Sequence, residues 1–182
     1  MNTNFGSWWT SPLVLLIASC GGAKAVDLGN PQSVSKYIEA KGAMDVVNTL
    51  WGKPEWAELT TRIASGEKAW VDVALQLSYG TDAGAASELR DSLYTGLERN
   101  PRYILKVLPE VASPSYALAI PAVCSGRADP PATYTEGIDE LKRVISAVDK
   151  VHDPELSGKR SLCLQALREG ESGLQRFFNV SE

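Results

Sequence analysis

Nucleophilic hydrolysis needs a serine or cysteine beside a base, and histidine is the usual base. The 182-residue chain has one histidine, His152, within Val151-His152-Asp153-Pro154. That segment reads as a corner between two helices, where a histidine simply complements the end of a helix dipole. Ser-x-x-Lys occurs at Ser33/Lys36 and at Ser65/Lys68, but the Ser-Asp-Asn and Lys-Thr-Gly segments that complete that catalytic set are absent. A phosphate loop around Gly158-Lys159-Arg160-Ser161 would need a glycine at 153 and a hydroxyl at 160, where the chain has Asp153 and Arg160. Gly-x-Ser-x-Gly and His-Glu-x-x-His do not occur either. One histidine and three cysteines supply little material for a metal site. No catalytic residue, metal ligand or cofactor motif is therefore assigned.

Two further groups could form a binding surface. Thr81-Asp82 sits at a helix corner, where an exposed carboxylate contributes to a docking face. In the plainer reading Thr81 caps the next helix and Asp82 complements its positive end. Carboxylate pairs for glycoside hydrolysis depend on a spatial separation that spacing along a chain does not supply. Trp51, Trp56 and Trp70 lie close together in sequence. They read as core anchors, with an aromatic groove for glycan or peptide as the alternative.

Composition narrows the field. Apolar residues make up 44% and charged residues 22%, values of a globular domain. They exclude a mainly disordered chain, a collagen and a polytopic membrane protein. Eighteen Lys and Arg face 22 Asp and Glu, a net charge of −4. Nucleic-acid binders carry a basic excess to neutralise phosphates, so that class is excluded. An acidic surface instead steers association with basic proteins.

The elements that must position any site read as helices. Alternating strand patterns are scarce. Asn30-Pro31, Asn100-Pro101, Ser113-Pro114 and Asp153-Pro154 each put a capping side chain before a proline that fits the first helical position. Gly52 and Gly66 are natural helix stops. The punctuation predicts helices over 31–51 (breaking near Gly42), 54–65, 67–78, 82–99 and 101–108. Further ones follow over 114–124, distorted by Pro121, then 133–150 and from 154 to the end. Thr133-x-x-Glu136 has the form of a capping box. Leu89, Leu93 and Leu97 form one stripe, and Ile138, Leu141, Val144, Ile145 and Val148 another, at helical spacing. Residues 125–133 are the clearest loop. The expected architecture is all-α: an irregular HEAT-like stack, or α-solenoid, of about seven or eight helices, with a compact orthogonal bundle as the alternative.

The apolar run at 13–18 is far short of the ~20 residues a membrane-spanning helix needs. Near the amino terminus and followed by small residues, it reads as a signal peptide. Ile17-Ala18-Ser19-Cys20 resembles the lipobox of bacterial lipoproteins, in which the cysteine is lipidated. Cleavage after Ala23-Lys24-Ala25 is the soluble alternative, and a buried amino-terminal helix is a third reading. Lipidation of Cys20 implies a membrane partner through a lipid anchor, and Gly21 after it implies the outer membrane in a Gram-negative host. Residues 1–25 are then a leader and 26–182 one helical domain. Cys124 and Cys163 remain as a pair, and parity in an exported chain suggests a disulfide. Two buried free thiols are the alternative.

The run Gly66-Glu67-Lys68-Ala69-Trp70, then Thr81-Asp82-Ala83-Gly84-Ala85, Leu89, Leu93, Leu97 and Asn100-Pro101, resembles uncharacterised exported all-helical proteins of Gram-negative bacteria. Some exported helical proteins of this size are immunity proteins against toxins. By that analogy the chain is expected in the periplasm or at the outer membrane, as a non-enzymatic binder of another protein, an immunity or inhibitor protein being the concrete form. A structural or accessory envelope lipoprotein is the alternative, followed by a carboxylate-based envelope hydrolase.

Overall fold

The computed structural model describes residues 26–111 and 118–180. Cys20, both cleavage sites and the Ser113-Pro114 cap lie outside the described residues. Among these, the chain is all-α with no strand. Nine α-helices and one 3-10 turn follow one another: α1 (Pro31–Lys41), α2 (Ala43–Leu50), α3 (Pro54–Ile63), α4 (Lys68–Ser78), α5 (Ala83–Leu97), α6 (Pro101–Val107), α7 (Ile120–Cys124), α8 (Tyr134–Asp149), the 3-10 turn (Pro154–Leu156) and α9 (Ser157–Phe178). No described helix is long and apolar enough to cross a membrane.

The caps follow from side-chain chemistry. Asn30 accepts from the Gln32 and Ser33 amides, Asn100 from Tyr103, Thr133 from Glu136 and Asp153 from Glu155. Each supplies an oxygen to amides that have no partner within their helix. The segment 31–51 divides into two helices because Gly42 takes φ +88, a conformation that L side chains rarely adopt. Pro121 falls in the first turn of α7, where its missing N–H costs nothing, so it opens a short helix there.

The helices form an irregular stack with α5 at its centre. In one half α1, α2 and α3 pack on α4; in the other α7 and α8 pack on α9. The central helix contacts α3 and α4 on one side and α6, α7 and α8 on the other. Its stripe, Leu89, Leu93 and Leu97, is fully buried. The tryptophans divide. Trp56 and Trp70 are core anchors at 2% and 4% exposure, whereas Trp51 is 42% exposed. Trp51 follows the last residue of α2, and its ring lies over Gly84, where a Cβ would come within 2.5 Å of it. The indole N–H groups of Trp51 and Trp56 donate to the two oxygens of the Glu88 carboxylate, at 3.0 and 2.7 Å. One side chain of α5 thus fastens both the end of α2 and the first turn of α3.

Cys124 and Cys163 form a disulfide with their Cα atoms 5.2 Å apart, joining α7 to α9 across 39 residues. Lys159 and Arg160 each bind the carbonyl end of another helix. The Lys159 ammonium donates to the Lys106 and Leu108 carbonyls at 3.1 and 2.6 Å, closing the end of α6. The Arg160 guanidinium donates to the Asp149 and Val151 carbonyls at the end of α8.

Candidate functional site

A cleft of about 430 Å³ opens between α8, α9 and the loop that follows the disulfide. Its construction starts at Cys124. The sulfur bridge pins the end of α7, so Ser125 to Pro131 leave the core from a fixed point. Two contacts then hold this loop. Asp91 of α5 accepts the Ala128 amide at 3.0 Å, and Pro131 rests on Gly137 of α8, where a Cβ would stand 2.6 Å from the proline ring. Burial pushes the Asp91 carboxyl above its ordinary range, and the Ala128 amide and Arg127 partly offset this. On the opposite wall α9 presents Ala166, Gly170 and Gly173. Such small residues leave open the space that larger side chains would fill. A Cβ at Gly173 would meet nothing within 4 Å.

The lining is mixed. Leu141, Leu174 and Phe177 are apolar; Arg127, Asp129, Glu140 and Glu169 are charged. Phe177 is 60% exposed and packs edge-on against Phe178, which in turn meets Tyr134. Tyr94, from the centre of α5, reaches the cleft with only 3% of its surface exposed. Burial, reinforced by the Glu140 carboxylate, holds its phenol well above the ordinary tyrosine range. The phenol therefore stays neutral, able both to donate and to accept a hydrogen bond.

The two residues placed in a binding surface by the sequence lie elsewhere. Asp82 is the N-cap of α5 and accepts the Ala85 amide at 3.1 Å. Thr81, expected to cap that helix, instead donates to the Ser78 carbonyl at the end of α4. The cap falls to Asp82 because helical geometry begins at Ala83. Neither lines the cleft. His152 is exposed at the corner after α8, as its sequence context suggests. In the sequence, residues 125–133 read as a loop and not as part of a cleft, and nothing in the chain's periodicity marks Tyr94 as anything other than a member of the α5 core. Several of the residues quoted for the resemblance to exported helical proteins hold the fold. Trp70 and the leucines of α5 are buried, and Asn100 donates to the Gly66 carbonyl at 2.9 Å while capping α6.

Two phenols make the stability of the chain sensitive to alkali. Tyr103 donates to Asp72 at 2.7 Å; this bond, with burial and the carboxylate's charge, pushes its pKa up to about 12. Tyr94 is raised as well. A phenol whose folded pKa exceeds the unfolded value of 10.0 stabilises the fold fully below that pH and loses the contribution as pH rises toward the folded value. Denaturant melts are thus expected to hold steady to about pH 9 and then weaken progressively through pH 12. Tyr103→Phe should flatten part of that decline, and ultraviolet titration should show Tyr94 and Tyr103 ionising late.

No family model, no curated protein and no solved structure matches the chain.

Proposed function

We propose that the chain is an exported, lipid-anchored, non-enzymatic protein that binds a protein partner through the cleft between α8 and α9, as an immunity or inhibitor protein does. The observation that carries this reading is the cleft itself: a pocket with an apolar floor and a charged rim, built on rigid helices and a disulfide. Mixed pockets of this kind receive an anchoring side chain. A disulfide is compatible with export, because it persists in oxidising compartments. Cys20 would carry the lipid. At least two acyl chains are needed for firm anchoring, and bacterial lipoproteins carry them.

Capture from envelope extract tests the reading. The immobilised chain, with its disulfide closed, is expected to retain one protein in near-equimolar amount. Gly173→Trp fills the cleft from a position with free space around it, and it should abolish capture while leaving the melting curve unchanged. Equal capture by both chains, or none by either, would overturn the assignment. Mass spectrometry of the processed amino terminus checks the anchor separately: a diacylglyceryl adduct on Cys20 is expected, and a free terminus at Val26 would replace anchoring with simple secretion.

A further inference from the structure

We infer that the cleft between α8 and α9 accepts the guanidinium of an arginine presented by an extended segment of the partner protein. This inference rests on the protein-binding reading above and specifies the chemistry of that site. Three observations carry it. First, the rim is acidic: Asp129, Glu140 and Glu169 face a single cation, Arg127. Second, Tyr94 lines the cleft with 3% of its surface exposed; its hydroxyl makes no hydrogen bond among the described residues and is not sealed off from solvent. A hydroxyl that keeps this access is free to take a partner entering the cleft. Third, the cleft already receives a guanidinium, but loosely. Arg127 Nη1 lies 3.7 Å from Glu140 Oε1, beyond hydrogen-bond distance, with 46% of the arginine side chain exposed. Such a pair in solvent holds little and yields readily.

An incoming arginine suits these three features together. Its planar head carries five donors, enough for two carboxylates and the neutral phenol oxygen at once. Its aliphatic stem can lie along Leu141 and Leu174, as long cationic side chains do on apolar surface. Phe177, exposed at the mouth, offers a ring face to the cation. Lysine has a compact, strongly hydrated head that reaches fewer acceptors at a time. The net negative balance of the rim supplies the attraction that brings the segment in.

The test uses the full chain with its disulfide closed and acetyl-Gly-Gly-Arg-Gly-Gly-amide as probe, titrated by isothermal calorimetry and amide chemical shifts. A peptide with citrulline in place of arginine has nearly the same shape without the charge. The arginine peptide is expected to bind saturably, with shifts at Gly173, Leu174 and Phe177, and the citrulline peptide about tenfold more weakly or worse. Tyr94→Phe should weaken arginine binding about fivefold. Arg127→Ala should strengthen it, and Gly173→Trp should abolish it. Equal binding of the two peptides, saturable binding that Gly173→Trp leaves intact, or no binding would overturn the inference. The comparison of peptides needs no variant, so it stands even if a substitution disturbs folding. Competition separates this inference from the broader reading. If the captured partner is lost on Gly173→Trp but the arginine peptide fails to compete, the cleft binds protein by other chemistry. If the arginine peptide binds and no partner is captured, the guanidinium site stands and the protein-binding reading falls.

Discussion

Replacing Cys124 and Cys163 together with alanine should cost about 4 kcal/mol of unfolding free energy, the chain-entropy value for a loop of this length. The expectation follows from where the bridge sits. It closes a 39-residue loop that contains the whole of α8, and both cysteines are fully buried. The native fold imposes no visible contortion on the pair, whose Cα atoms are at an ordinary separation of 5.2 Å. Domains of this kind hold only about 5–15 kcal/mol in all, so the loss would be a large part of the margin. Guanidinium titration should show the midpoint falling sharply. Hydrogen exchange should quicken at the Ala128 amide, because the loop it anchors leaves directly from Cys124. Dithiothreitol should reduce the native bridge slowly and the denatured one at once, since the sulfurs are reachable only after opening. A double variant as stable as the parent would show that α7 and α9 are held by packing alone.

Trp56→Ala should be of similar size, about 3–5 kcal/mol. The side chain is 2% exposed, between α3 and α5, and its N–H donates to Glu88 at 2.7 Å. Alanine removes the ring and leaves a cavity that surrounding helices can only partly close. Trp56→Phe separates the two contributions: it keeps most of the volume, removes the donor, and should cost roughly 1–2 kcal/mol. Trp51→Ala provides the contrast. Its ring is 42% exposed and donates to the same carboxylate, so its removal should cost under about 1 kcal/mol. Urea midpoints with unchanged slopes would check all three.

Much of the helical stack can be read from the amino-acid order alone. Proline after Asn30, Asn100 and Asp153 marks three helix starts, since the local chemistry of a cap needs no tertiary partner. The leucine stripe of α5 is legible for the same reason. Other features depend on contacts remote in sequence. Whether Trp51 belongs to the core depends on the packing of its ring over Gly84 on α5, which periodicity within α2 does not encode. Lys159 and Arg160 look like free charges until the open carbonyl ends of α6 and α8 are brought beside them. The cleft is the clearest case. Its loop is plain in the Pro130-Pro131 punctuation, and its disulfide in cysteine parity. Its most telling residue, Tyr94, comes from a helix more than thirty positions upstream and reads as ordinary core.

Site-specific photo-crosslinking in living cells addresses the place of binding directly. A benzophenone side chain installed at Phe177, on the mouth of the cleft, is expected to join the chain to one protein of the envelope. The same probe at Thr81, on the corner between α4 and α5, is expected to join it to none. Adducts from position 81 with none from 177 would contradict the account.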